Sequence, residues 1–432
     1  MRADTYKITH WMNVRKVTVR QVAEAVGQPL DLMTAEAWPS ALVAAVARFL
    51  QVEPHQLAAS DQCGLTVLTR TAAGLRETAR PIQRGGIHFY NYYTMASPPG
   101  AVGPVILDIL CPADRLPDLN NGHLEPAITV NIGPGDIHGR WGEVLAGSTW
   151  EVLRANRDDD NWIAGDSYIE PSYCPHSYSL AGQLPARIVS YTAQSNLAEL
   201  LEAMNDWADA AVDRLFGLAA SGPGPRAVAE LLLSRRGHSL ATAAAALRLR
   251  PGQLAAALDE GAVDVLRELG LAVGLDYRLL LASVRRHDEV GKTCRTVDEC
   301  RAEAREFRGY RVASLVSAPH LPDLTGMFMQ VDGSGADLCE LGETHYLVTG
   351  GAVELDWTEA DGSPARVSLE ADGTAWVAPF VAHRWSGSGS VVKLGSGRHL
   401  GYLDLAELTN TYAAAATLRR GRHDDRFWGY DS

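Results

Sequence analysis

Two histidines and two glutamates in the first half of the chain have the types and spacing to hold a metal ion. His123 and Glu125 stand two apart in "NNGHLEPAITVNIG", so on a strand their side chains share a face. Glu170 and His176 stand six apart in "DSYIEPSYCPHSYSL", each beside a proline. A straight strand rises about 3.3 Å per residue and would hold that pair roughly 20 Å apart. Ligands of one ion must approach it to about 2 Å. A shared metal therefore requires the chain to turn back, and Pro171 and Pro175 suit the bend because proline fixes φ and cannot donate to a ladder. Two triads follow, His123–Glu125–His176 and His123–Glu170–His176. Either is a two-histidine, one-carboxylate facial set, which leaves open positions on Fe(II) for substrate and dioxygen. Spacing favours the first, since H-x-[DE] followed by a distant His is the commoner arrangement.

A second constellation suits a tetrahedral oxyanion. In "PIQRGGIHFYNYY", Arg84, His88, Tyr90 and Tyr92 share parity, so one strand face offers a guanidinium and two phenols. Asn120, three residues before His123, adds an amide, and Lys16 lies in an N-terminal helical stretch. Forked donors, a point charge and neutral donors together are what such an anion needs. Other signals are weak. "GSGRHLG" has neither P-loop nor dinucleotide spacing, and six scattered cysteines show no CxxC or zinc pattern and read as free thiols.

The elements that must position these residues are written twice. Residues 14–60 carry helical periodicity, with Thr18 and Ser40 as N-cap candidates. Residues 62–200 change to short β-type runs punctuated by Gly, Pro, Asn and Asp, as in "PVILDIL" and "ARIVSYTA". The order then recurs, helical through 239–274 and β-type through "THYLVTGGAVELDW" and "SVVKLGS". Sliding Thr18 onto Ser239 aligns Arg15 with Arg236, Lys16 with Gly237 and Ala23 with Ala244. One unit, a helix-turn-helix-like module plus a β-barrel, occurs twice. The expected class is α+β, mainly β, with modules at 1–60 and 201–285 and barrels at 61–200 and 286–432. In the second barrel His345 is expected opposite His123, His383 opposite His176, and Val377 opposite Glu170. Two histidines without the carboxylate make a poor iron site, so this barrel reads as a degenerate copy.

Composition narrows the class. With 432 residues, 46% hydrophobic and 21% charged, the chain reads as a soluble multi-domain protein. No apolar run approaches a membrane span, and Asp4, Lys7 and His10 interrupt any signal-like start, so a cytoplasmic location is expected. A net charge of −13 argues against a generic polyanion binder. The expected recognition segments, "SALVAAVARFLQV" and "PGQLAAALDEGA", offer few donors to bases, so the modules carry a DNA reader's outline without its chemistry.

The runs "RPIQRGGIHFYNYYT", "LDILCPADRLPDLNNGHLEPAITVNIGPGDIHGRWGE" and "GDSYIEPSYCPHSYSLAG", with "VAPFVAHRW" and the ending "WGYDS", closely resemble the 2-hydroxyethylphosphonate dioxygenase family across essentially the whole chain. These are cupin-type mononuclear iron enzymes of phosphonate natural-product (antibiotic) biosynthesis. The resemblance implies a bi-cupin jelly-roll architecture and one Fe(II) per chain. It implies cleavage of 2-hydroxyethylphosphonate to hydroxymethylphosphonate and formate, with dioxygen and neither 2-oxoglutarate nor an external reductant. The family's metal ligands fall on His123, Glu170 and His176, which selects the second triad. Its phosphonate-binding groups fall on Lys16, Arg84, Tyr92, Asn120 and Ser190, with Lys16 and Tyr92 also counted as catalytic.

Three rivals define themselves against this reading. The related methylphosphonate synthase acts on the same substrate, but that subgroup tends to carry Gln at the position held here by Glu170. A 2-oxoglutarate enzyme would use Glu125, with Arg187 for the cosubstrate carboxylate. A helix-turn-helix regulator would use the barrel as a sensor. A small phosphonate and dioxygen are the expected partners, without nucleic acid or membrane, and the sequence leaves monomer or homo-oligomer open.

Overall fold

The computed structural model describes residues 3–29, 38–59, 64–84, 86–99, 101, 103–115, 117–142, 150–157, 161–192, 196–220, 224–281, 292–395 and 401–422. Two helical modules each have their own core. The first packs helices Thr5–Arg15, Val19–Val26 and Ser40–Leu50 around Ile8, Met12, Val22, Val46 and Leu50. The second packs Pro225–Ser234, Leu240–Ala246, Pro251–Glu260 and Val263–Val273 around Leu233, Leu254, Leu258 and Leu266. The repeat is visible in the caps. Thr18 and Ser239 each close a reciprocal capping box, satisfying backbone donors that the first turn leaves orphaned. Lys16 and Gly237, aligned by sequence, both take left-handed φ, 58° and 74°. Two expectations shift. A helix precedes residue 14, begun by the Asp4 cap, and its few buried apolar side chains, Ile8 and Met12, give no clear period. Ser40 is the first helical residue rather than the cap, a place taken by Pro39.

The β part comprises β1 (Val67–Arg70), β2 (Arg80–Arg84), β3 (Ile87–Thr94), β4 (Val105–Ile109), β5 (Ala127–Pro134), β6 (Ile137–Trp141), β7 (Trp150–Leu153), β8 (Ser167–Glu170), β9 (His176–Leu180) and β10 (Ala186–Thr192), then β11 (Thr293–Arg295), β12 (Arg305–Phe307), β13 (Tyr310–Ser314), β14 (Thr325–Ser334), β15 (Thr344–Thr358), β16 (Pro364–Glu370), β17 (Thr374–Val377) and β18 (His383–Gly395). All pairings are antiparallel. One barrel is built from a seven-stranded sheet, β11-β8-β5-β10-β4-β3-β2, facing the three-stranded β7-β6-β9. The other is the sheet β1-β17-β15-β18-β14-β13-β12, with β16 on β15.

The halves exchange strands. β1, from the first half, pairs with β17, and β11, from the second, pairs with β8. The expected boundaries at 61–200 and 286–432 are therefore crossed reciprocally, each barrel taking one edge strand from the other half. Between the barrels lies a shared apolar layer in which Ile128, Val130, Ile169 and Val189 meet Leu315, Phe328, Leu347 and Leu394. Trp162 stacks on Phe328 at 4.0 Å between ring centroids. Each large side chain so buried contributes about 1.5–3 kcal/mol.

Period-two alternation assigns the faces. On β8, Ile169 joins the layer between barrels, and Ser167 accepts the Val316 amide of the second half. Tyr168 and Glu170 point the other way, into the first barrel. On β3 and β10 the same alternation turns Tyr90, Tyr92, Ile188 and Ser190 inward.

Candidate metal centre

His123 lies just before β5, Glu170 ends β8, and His176 begins β9. The chain turns back between the last two through Tyr173, whose amide donates to the His123 carbonyl at 2.7 Å, with φ at 56°. Pro171 and Pro175 flank that turn, and it brings together what a straight strand would separate. One ligand atom from each of His123, Glu170 and His176 lies within 4.8 Å of the other two, the one such group among the described residues.

Glu170 is 1% exposed, and its two oxygens are differently employed. Oε1 accepts from the Trp141 indole N–H at 2.8 Å and the Tyr178 phenol at 2.5 Å. Oε2 lies 3.6 Å from nitrogens of both imidazoles. Burial alone would raise this carboxyl. The facing His176, with hydrogen bonds from His123, Tyr178 and Trp141, outweighs it and holds Glu170 below the ordinary carboxylate range. The same carboxylate raises the His123 imidazole against burial. Burial, then the Glu170 charge, pushes both Tyr168 and Tyr178 well up, so both phenols stay neutral and Tyr178 donates to Glu170.

Each imidazole is oriented through Nδ1. His123 gives that nitrogen to the Glu125 carbonyl at 2.5 Å, and His176 gives it to the Cys174 carbonyl at 2.9 Å. With Nδ1 of each ring held by a carbonyl, Nε2 is the nitrogen a metal would take, in place of the Glu170 contact on His123 and the Asn120 contact on His176. Two imidazoles and a buried carboxylate, whose Oε2 lies 3.6 Å from His123 Nε2 and from His176 Nδ1, fit a divalent transition metal. Glu125, favoured by spacing, offers this group its main-chain carbonyl and not its carboxylate.

The remaining sequence candidates distribute as follows. Asn120 sits against the centre. Its Oδ1 accepts from the amides of Gly122 and His176, at 2.9 and 3.0 Å, and its Nδ2 reaches His176 Nε2 at 3.0 Å. Tyr92 packs on the apolar lining of the first barrel, with the Arg80 guanidinium 4.9 Å from its ring centroid. Ser190, on β10 opposite Thr129, accepts the Thr129 hydroxyl at 2.9 Å. Of the parity group, Tyr90 is buried and accepts the Tyr178 amide at 3.1 Å, while His88 is exposed and bonds Asn91. Lys16 is exposed at the C-terminal cap of Thr5–Arg15. Arg84 closes β2 opposite Ile87, and its side chain lies outside the described residues. Arg187 is committed elsewhere, bonding Asp108 at 2.6 Å and, across the barrel interface, Asp372 at 2.7 Å.

Sequence reasoning missed the two donors to Glu170. Tyr178 follows His176 by two on β9, so strand parity could have found it; Trp141 carries no such signal.

The second barrel shows why no second such centre occurs among the described residues. Ala127 faces Glu170 in the first barrel and Thr344 faces Val377 in the second, so Val377 does stand in Glu170's place. His383 also matches His176, opening its strand with Nδ1 on the carbonyl two residues back, that of Val381, at 2.9 Å. His345, however, does not match His123. Register puts it at the position of Ile128, where it faces the other half and bonds the Ala96 carbonyl at 3.2 Å. Glu340 takes the place of His123, accepting the Phe380 amide at 2.8 Å as His123 accepts that of Tyr173. The letters misled because a "THY" match ignores the length of the preceding loop. Here Glu340 is ion-paired with Lys393, which stands at Ser190's position, and the Tyr346 phenol caps His383 Nε2 at 2.6 Å.

Fold and centre together define a bi-cupin of the mononuclear metal oxygenase type. Residues 76–193, which contain His123, Glu170 and His176, match the 2-hydroxyethylphosphonate dioxygenase cupin-like domain. The chain is 54% identical to the 2-hydroxyethylphosphonate dioxygenase of Streptomyces viridochromogenes, over 100% of both sequences. A solved structure described as PhpD with cadmium, complexed with hydroxyethylphosphonate, is 54% identical, covers 98% of this chain and 100% of its own, and superposes at a TM-score of 0.86. The fold extends further, to the enzyme of Streptomyces albus with 2-hydroxyethylphosphonate and Fe(II) bound, at 20% identity, 98% of each chain and a TM-score of 0.81. The chain belongs to the 2-hydroxyethylphosphonate dioxygenase family.

Proposed function

We propose that this chain cleaves the carbon–carbon bond of 2-hydroxyethylphosphonate, giving hydroxymethylphosphonate and formate, at one Fe(II) held by His123, Glu170 and His176. The observation that carries the reading is the triad of His123, His176 and a buried Glu170, whose second carboxylate oxygen is saturated by Trp141 and Tyr178. Full-length similarity to a dioxygenase of this name supports it. The stoichiometry supports the absence of a reductant, because substrate plus one dioxygen has the atoms of the two products and nothing over. When bound, the iron supplies the dioxygen chemistry that protein side chains lack and a Lewis acid for the substrate alcohol.

The chain's own residues hold and orient the substrate. Tyr92, Asn120 and Ser190 provide neutral donors at the first barrel, and Lys16 and Arg84 provide the cations for the phosphonate. The Asn120 amide, which reaches His176 Nε2 at 3.0 Å, would be available to an anionic oxygen beside it if that nitrogen held the metal. Lys16 and Tyr92 also serve as catalytic groups, fixing the substrate so that its hydroxyl-bearing carbon faces the oxygen position. The expected setting is the cytoplasm of a phosphonate-antibiotic producer, on the strength of the family resemblance.

Anaerobic loading with Fe(II), addition of substrate and then oxygen, and phosphorus NMR of the mixture test this. Hydroxymethylphosphonate with an equivalent of formate is expected. Methylphosphonate with bicarbonate would move the chain to the synthase reading, and a requirement for 2-oxoglutarate would overturn both.

A further inference from the structure

We propose that Lys292, from the C-terminal half of the chain, is a positioning residue for the metal centre of the first barrel, acting through Trp141 on Glu170. The inference rests on the reading that the triad holds a metal.

Lys292 immediately precedes β11, the strand the second half lends to the first barrel beside β8. Cys294 on β11 faces Tyr168, so parity turns both Lys292 and Cys294 to the side of the sheet that carries Tyr168 and Glu170. The Lys292 ammonium lies 3.6 Å from the Cys294 sulfur, is ion-paired with Glu151 on β7, and stands 5.0 Å from the centroid of the Trp141 ring. Only 5% of Lys292 is exposed, whereas the Glu151 side chain is 42% exposed.

That difference matters. A lysine usually keeps its ammonium in water and buries only its stem. Here the charge itself is withdrawn, and the surface-reaching Glu151 meets it from outside. On the inside it meets the face of the indole, whose quadrupole attracts a cation. The indole has little freedom to move away. A Cβ at Gly139 would come within 2.1 Å of its ring, so Trp141 folds back over a position that only glycine leaves open. Held between Gly139 and the ammonium, Trp141 directs its N–H at Glu170 Oε1. A cation over the ring also draws electron density from it, which strengthens that N–H as a donor. The result is a carboxylate whose other oxygen stays turned to the two imidazoles. Partners of this kind set ligand orientation and metal affinity. The geometry thus gives the strand exchange a consequence for the site: the half without a metal triad completes the outer support of the half that has one.

The test uses the full-length apo protein, titrated anaerobically with Co(II) and followed by its visible ligand-field bands. Lys292→Met keeps the stem and removes the charge; it is expected to bind Co(II) about 10-fold more weakly than wild type, with altered band intensities. Lys292→Arg should restore most of the affinity. Trp141→Phe breaks the same link without touching Lys292 and should weaken binding at least as much, and Lys292→Met added to it should cost nothing further. Thermal unfolding of each apo variant checks folding, and Trp141→Phe carries the test alone if Lys292→Met does not fold. Unchanged affinity in Lys292→Met or in Trp141→Phe, or losses that add in the double variant, would overturn the role of Lys292. A wild type that binds no Co(II) would instead remove the metal reading itself, and this inference with it.

Discussion

Glu125 and Glu170 are the same residue type, and only one faces the imidazoles. The difference is position in the turn: Glu170 ends a strand whose alternation aims it into the barrel, while Glu125 meets His123 through its carbonyl. Glu170→Ala should therefore leave the purified protein without stoichiometric iron, and Glu125→Ala should keep it, as metal analysis would show. Iron lost from the second variant and kept in the first would reverse the ligand assignment. Tyr178→Phe leaves the triad intact but takes one donor from Oε1. A hydrogen bond to a charged group is worth about 1.5–3 kcal/mol, so Fe(II) affinity should fall by about ten-fold or more. Competition against a chromophoric chelator measures that loss.

At the scale of elements, the site depends on how a loop docks against a turn. The segment carrying Asn120 and His123 passes the Tyr173 turn at Gly122, with φ at 73°, where a Cβ would lie 2.6 Å from the Tyr173 carbonyl carbon. The three nearest atoms on the far side, from Tyr173 and Cys174, are all backbone and cannot swing aside. Gly122→Ala is expected to shift the loop, loosening His123 and the Asn120–His176 contact together. Iron affinity and substrate affinity should fall together in that variant, while Glu125→Ala changes neither. A Gly122→Ala protein with normal iron content and normal KM would show that the loop tolerates the shift.

At the scale of the molecule, the second barrel serves as support and interface. Val377→Glu alone should leave metal content at one per chain, because Glu340 stands where a histidine is needed and Tyr346 covers His383. Metal analysis giving two per chain would contradict this account of the copy. His345 belongs to the barrel interface, packed on Tyr191 at 5.2 Å and bonded to Ala96. Burial pushes its imidazole down to about 4 from an ordinary 6.5. The folded state therefore holds it neutral where the unfolded chain binds a proton. Its contribution is complete above the unfolded value, shrinks as pH falls below it, and is gone once pH passes the folded value. The loss amounts to about 3 kcal/mol. Urea unfolding at about pH 7 and pH 4 should show an acid loss in wild type larger by roughly that amount than in His345→Leu. Equal losses in the two proteins would place the acid sensitivity elsewhere.

What the sequence determined by itself is what depends on local pattern. Helical and strand periods gave the two modules and two barrels, the caps at Thr18 and Ser239 followed from hydroxyls ahead of apolar runs, and long family-specific runs pointed to Glu170. Spacing alone chose Glu125, because distance along a chain says nothing of a turn until the turn is folded. Only the tertiary structure decided which oxygen of Glu170 faces the imidazoles, that Glu340 rather than His345 replaces His123, and that each half lends the other a strand. These are matters of register and of contacts between residues far apart in the chain. Lys292 and Trp141 are 151 residues apart by their numbering, and no period in the letters joins a cation to a ring until β11 crosses to β8.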